Sequence, residues 1–205
     1  MNKTQLLEKL KQEGFSKNIL DAFSKVKREN FIPKILKSRA YEDRALPIGK
    51  SQTISQPHTI ATMLSLLDLK RSQKVLEIGS GCGYVLALMS EIIGEKGKVY
   101  GIEIIKSLTE KLKNNVKGYK NIKVYNRDGK KGLEEQAPFD RILISAASKK
   151  LPKSVLRQLK DKGLIVAPVG PRHSQSLVVI QRIKNDFKIK EKLPGFIFVP
   201  FVWLI

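Results

Sequence analysis

A single cysteine, Cys82, and two histidines are all the chain has of soft metal ligands. An internal disulfide is therefore excluded, and a typical His/Cys zinc site has too few ligands; no metal is expected. Also missing is any apolar run near the roughly 18 to 20 residues that a membrane span requires, so no membrane is expected as a partner. The opening MNKTQLLEKLKQEG lacks the apolar centre of a secretory signal, which sets the expectation of a cytoplasmic protein. In that setting the Asn2-Lys3-Thr4 glycosylation triplet has no use. Aromatics are only 7% and stand apart from the basic runs, so stacking platforms for single-stranded nucleic acid are not evident. Acidic residues are scarce as well: 19 Asp and Glu against 39 Lys and Arg leave a net charge of +20. Such a charge attracts nucleic acid. The lysines are scattered, however, through KLKQ, KVKR, KLKNNVK and KIKEK, as on solvated helix faces, so nonspecific binding is permitted and none is required.

What is present is a soluble, globular composition, 41% apolar and 28% charged, over 205 residues that suit one domain. No repeat or long linker divides it. Leu6, Leu7 and Leu10, then Ile19, Leu20 and Phe23, recur at helical spacing and predict two short helices over 4–12 and 18–28, with Asn18 capping the second. Residues 30–56 read as mostly loop, punctuated by Pro33 and Pro47. A helix is predicted from Pro57 to Leu69. From residue 74 apolar runs alternate with helical patterns, as in βαβ units. Strands are expected over 74–79, 98–103, 121–128, 139–147 and 163–170, and helices over 84–93, 105–116 and 151–159. Two last strands, 176–183 and 196–204, follow too closely for a crossover helix and predict an antiparallel edge. The expectation is one unit, an N-terminal helical extension over 1–56 and a core over 57–205. Its fold class is α/β, a Rossmann-like doubly wound mixed sheet of about seven strands.

VLEIGSGCGY sets Gly79, Gly81 and Gly83 between a strand and a helix, where the backbone turns sharply and a ligand can come close. A dinucleotide fingerprint would need glycine at 84, which is Tyr84, and a P-loop would need a lysine that the loop lacks. Glu103, at the end of the next strand, can accept hydrogen bonds from a ribose diol, so loop and carboxylate together outline an adenosine pocket. Ser55 and His58 invite a hydrolase, but the nucleophile elbow needs glycine where Thr53 stands. Cys82, inside the loop, reads as a small packed residue.

With Glu77 ahead of the loop and Asp128-Gly129 after the third strand, the pattern resembles motifs I and II of the class I S-adenosylmethionine-dependent methyltransferases. Base-amine enzymes of that kind end the fourth strand in Asn/Asp-Pro-Pro-aromatic; here it ends ILISAAS, with no side-chain acceptor for an amino group at Ala146 or Ala147. DRALPIGKSQTISQPHTIA, the glycine loop, PFDRILISAA, GLIVAPVG and a final FVPF are similar, from about residue 40 onward, to the protein-L-isoaspartate O-methyltransferase family. Arg127, where that family commonly has glycine, and Cys82, where it has Ser or Thr, depart from the pattern.

The resemblance implies methyl transfer from S-adenosylmethionine, leaving S-adenosylhomocysteine, to the α-carboxylate of L-isoaspartyl residues in damaged proteins. It assigns Ser55 to catalysis, and Thr53, Ile54, Ala146, Val199 and Pro200, with Phe201 beside them, to the substrate. Gln56, Pro57, Glu77, Gly79, Ser80, Gly81, Gly83, Glu103, Asp128 and Gly129 go to the cofactor. Isoaspartyl peptides and proteins are the implied partners, and a monomer is the expectation. A carboxylate nucleophile is ionised at neutral pH and needs no general base, which accords with the absence of an obvious catalytic His or Cys. An RNA methyltransferase of the same fold, using the positive charge, is the alternative.

Overall fold

Asn2 opens the first helix. In the computed structural model, which describes residues 1–201, its side chain accepts the Gln5 N–H at 3.0 Å while Gln5 Oε1 accepts the Asn2 N–H at 2.8 Å, a reciprocal cap for α1 (Lys3–Gln12). The second helix, α2 (Lys17–Lys25), has Ser16 at its cap position, which corrects the expectation for Asn18; Asn18 lies inside the first turn. Leu6, Leu10, Ile19 and Phe23 are buried, as their spacing requires.

Residues 30–56 are not mostly loop. A 3₁₀ turn over Lys34–Arg39 leads to a hairpin, β1 (Leu46–Gly49) and β2 (Gln52–Ile54), in which Leu46 pairs with Ile54 and Pro47 with Thr53. The hairpin turns at Lys50 and Ser51, both at positive φ (54° and 55°), the conformation of a type I′ turn, for which Asn-Gly is the usual sequence. Nothing in Lys-Ser announces it. Helix α3 (Pro57–Leu67) follows after two residues, with proline in its first turn as expected.

The core sheet has seven strands in the order β5-β4-β3-β6-β7-β8-β9. They are β3 (Lys74–Ile78), β4 (Lys98–Glu103), β5 (Ile122–Asn126), β6 (Phe139–Ile144), β7 (Leu159–Val169), β8 (Gln175–Ile183) and β9 (Asp186–Phe196). The first five run parallel; β7-β8 and β8-β9 are antiparallel, so the mixed sheet and its C-terminal edge are as expected. Period-two alternation sends Val75 to one face, against α1 to α3, α4 (Tyr84–Ile93) and α5 (Lys106–Val116), and Leu76 and Ile78 to the other. Both faces are covered, which is why the parallel strands read as unbroken apolar runs.

Two elements differ most from expectation, while others shift at their ends by one to three residues. The expected helix 151–159 is a single turn, α6 (Lys153–Leu156), because β7 begins at Leu159 and bulges before rejoining β6 at Leu164. The expected last strand, 196–204, is displaced: the partner of β8 is β9, a charged strand reached through the tight turn Lys184-Asn185. Residues 197–201 instead cross the strand ends, and 202–204 lie outside the described residues.

Candidate functional site

Strand order reverses between β3 and β6, and a cleft of about 570 Å³ opens at the C-terminal ends of these strands, where open α/β sheets bind ligands. Several segments enclose it. The first is the loop after β3, where Gly79, Gly81 and Gly83 all take positive φ (83°, 51° and 87°) and where the Gly79 and Ser80 N–H groups donate to Ile102 O at 2.9 and 3.0 Å. Gly83 is required for a further reason. A Cβ there would lie 2.9 Å from Val116 Cγ1, so glycine lets α5 approach the start of α4.

Glu103 closes the next side. It is buried, and its two oxygens accept the Gly81 N–H and the Ile105 N–H, each at 2.9 Å, so the carboxylate is fixed to the glycine loop and to the start of α5. Each oxygen retains a lone pair for a hydroxyl donor. Ile102, Ile104 and Ile105 make the wall beside it apolar.

The second segment is the β1–β2 hairpin, which contributes Ile48, Gln52 and Thr53; Ile48 Cδ1 would lie 3.2 Å from a Cβ on Gly81. The third is the chain over 199–201. Ala147 donates to Val199 O at 2.9 Å and Phe201 donates to Ala147 O at 2.8 Å, so Val199, Pro200 and Phe201 line the cleft beside Ala146. Phe201 also lies against Gly129, where a Cβ would sit 3.0 Å from Phe201 Cζ and 2.2 Å from Ile78 Cγ2.

The structure thus brings Thr53, Gly79, Gly81, Glu103, Gly129, Ala146, Val199 and Pro200 to one cleft. Ile54, Ser55, Gln56, Pro57, Glu77, Ser80, Gly83 and Asp128 are not among its lining residues. Ile54 and Pro57 are buried, and half-buried Ser55 lies between the hairpin and α3, two residues from Thr53. Ser80 turns inward, its hydroxyl donating to Glu77 O at 3.4 Å. Asp128 Oδ1 accepts the Lys130 N–H at 2.8 Å and so caps the turn that carries Gly129. Arg127 pairs with Glu135 at 2.7 Å and lies over the Tyr125 ring. Glu77 sits beneath the floor: it is fully buried, Oε1 accepts the Ser145 hydroxyl at 2.7 Å, and Oε2 has no partner. Burial pushes its pKa up to about 8, against the opposing pull of the Ser145 hydrogen bond.

Sequence reasoning assigned no individual role to Ile48, Gln52, Ile78, Ile102, Ile104, Ile105 and Ser145. Ile104-Ile105 carried a usable signal, since an apolar pair directly after the strand-ending carboxylate has no partner within that strand. Ile48 and Gln52 came with the hairpin and had none.

The profile of one family, described as Protein-L-isoaspartate(D-aspartate) O-methyltransferase, matches residues 1–204. The chain belongs to this family. A protein-L-isoaspartate O-methyltransferase of Methanothrix thermoacetophila is 43% identical over 204 residues, 98% of this chain and 95% of that protein. One from Dictyoglomus turgidum is 46% identical over 198 residues, 95% of this chain and 88% of that protein. Among solved structures, a protein-L-isoaspartate O-methyltransferase superposes with a TM-score of 0.89 at 30% identity over 97% of this chain, which spans 65% of that one. A Plasmodium falciparum structure described as a putative member, in complex with S-adenosyl-L-homocysteine, gives 0.85 at 26% identity and covers 98% of this chain and 99% of that one.

Proposed function

We propose that the protein transfers a methyl group from S-adenosylmethionine to the α-carboxylate of L-isoaspartyl residues in peptides and proteins, the first step of their repair. S-adenosylmethionine supplies the methyl group as an activated sulfonium. The cleft fits such a group on its own chemistry. Glu103 offers free lone pairs to a sugar diol, Ile102, Ile104 and Ile105 flank that carboxylate, and glycine at 129 leaves the floor low beside Phe201. The cofactor would be held there by the glycine loop and Glu103, with Gly129 under the base; Gln56, Pro57, Glu77, Ser80, Gly83 and Asp128 act as supports around the lining.

One observation carries the chemistry: among the described residues that line the cleft, Glu103 is the only ionisable side chain. Reactions that need a proton removed call for a His, Lys, Cys or further carboxylate within reach, and none lines this site. An isoaspartyl carboxylate, with a pKa near ~3 to 4, is already the nucleophile. The chain's task is to place that carboxylate and keep water from it. Ser55 is the proposed catalytic residue: its neutral hydroxyl orients the carboxylate by a hydrogen bond without the strong grip of a cation, which would blunt the nucleophile. Thr53, Ile54, Ala146, Val199 and Pro200 hold the peptide.

The test offers the protein tritiated S-adenosylmethionine with an isoaspartyl peptide, its aspartyl twin or bulk RNA. Label should enter the isoaspartyl peptide alone; label in RNA and none in that peptide defeats the proposal. No RNA-specific feature at the cleft favours the alternative. No helix among the described residues is long and apolar enough to cross a membrane.

A further inference from the structure

Arg28 has no exposed surface, and no ion pair to it is found among the described residues. Its guanidinium instead donates to four main-chain carbonyls. Nη1 reaches Ala40 O at 3.1 Å and Glu42 O at 3.3 Å; Nη2 reaches Arg44 O at 3.2 Å and Ser55 O at 3.0 Å. Nε is left without a partner. Burial draws the pKa below the usual arginine value. A buried cation with no carboxylate in direct contact, Asp43 acting on it only from a distance, and with one orphaned donor is a costly way to fill space, since an ion is expensive to desolvate. What the cation gives in return is a joint between two separate segments.

Those segments are the 40–44 loop and the Ser55 position. The β1–β2 ladder ends at Ile54 and α3 starts at Pro57, so Ser55 belongs to neither element. The same loop grips the other side of that junction, because Asp43 Oδ1 accepts the His58 N–H at 2.9 Å while Asp43 Oδ2 meets Lys9 of α1. Arg28 is itself tied to the cofactor side. Phe31, three residues on, packs edge-on against Tyr84 with ring centroids 5.3 Å apart, and Tyr84 is the first residue of α4, directly after Gly83. Phe23 of α2 meets the same ring at 6.1 Å. The 28–31 turn is thus anchored on the glycine loop's helix and holds Ser55 by its carbonyl.

We propose that Arg28 is a positioning residue for methyl transfer, its guanidinium fork fixing the Ser55 main chain, and so the Ser55 hydroxyl, relative to the glycine loop. The inference rests on the role proposed above for Ser55. Arginine suits this task because its planar fork holds several acceptors in one geometry, which a lysine ammonium cannot. The N-terminal extension then does more than cover the sheet, since it sets the substrate side of the site.

The test is a double-mutant cycle on the whole protein with an isoaspartyl peptide: Arg28→Lys, Ser55→Ala and the pair. Arg28→Lys should lower kcat/KM at least about tenfold while leaving S-adenosylhomocysteine affinity within about twofold and the thermal melt cooperative. In the Ser55→Ala background the same change should cost less than about twofold, because there is no hydroxyl left to place. If the lysine variant does not fold, Arg28→Gln, which keeps N–H donors without the buried charge, carries the same comparison. A wild-type kcat/KM in a folded Arg28 variant overturns the inference, as do losses that simply multiply in the pair. A full rate in Ser55→Ala alone overturns instead the role of Ser55, and with it the residue through which Arg28 is said to act.

Discussion

The Ser145 hydroxyl donates to Glu77 Oε1 at 2.7 Å, and that bond joins a residue of the cleft wall to a wholly buried carboxyl whose other oxygen has no partner. Burial raises the Glu77 pKa to about 8, above its unfolded value near 4.5. Between those values the folded protein holds a proton that the unfolded chain releases. Stability from this group is therefore fully present below about pH 4.5 and falls as pH rises toward 8, by on the order of a few kcal/mol. Glu77→Gln cannot ionise, so thermal melts from pH 5 to 9 should show the variant gaining on the wild type as pH rises. A constant difference across that range rules the linkage out.

Ser55→Ala removes the hydroxyl proposed to orient the substrate. Methyl transfer to an isoaspartyl peptide should drop about tenfold or more, the scale of one lost hydrogen bond in a desolvated site, with S-adenosylhomocysteine affinity nearly intact by calorimetry. An unchanged rate takes Ser55 out of the chemistry.

Glu103→Gln leaves one acceptor oxygen where two backbone N–H groups now each have their own, and it replaces the other oxygen by a donor facing a donor. S-adenosylhomocysteine affinity should fall by at least about tenfold, since the loop N–H and the ribose site are disturbed together. Calorimetry reads it directly, and wild-type affinity in this variant means that Glu103 does not hold the sugar.

Gly129→Ala places a methyl group 2.2 Å from Ile78 Cγ2, so the floor of the cleft or its neighbours must shift. Overpacking of this kind costs about 1 to 3 kcal/mol. Gly118→Ala is the control: nothing lies within 4 Å of its Cβ and it should melt within a few degrees of the wild type. Equal melting temperatures for both variants would falsify the close approach at Gly129.

The parallel strands and the glycine loop were legible because a sheet buried on both faces leaves continuous apolar runs, and because a sharp strand-to-helix turn admits little but glycine. The β1–β2 hairpin was not, since Lys50 and Ser51 hold a conformation that their own side chains do not favour; tertiary packing of Leu46, Ile48 and Ile54 holds it instead. β9 was hidden for the opposite reason, its residues being mostly exposed and five of its eleven charged, where a strand is sought by apolar alternation. Of the site, Glu103 could be read from its place at a strand end. Arg28 could not: its partners lie at 40, 42, 44 and 55, and no local pattern reports a bond across that span.

The charged β9 bears on what kind of client the protein can meet safely. A client of the proposed reaction that is unfolded can add to any bare strand edge. Here the outer strand carries Lys188, Lys190, Glu191 and Lys192, a guard against such pairing. At this edge of the sheet, whose other edge is β5, an unfolded client meets charge before it meets a bare backbone ladder.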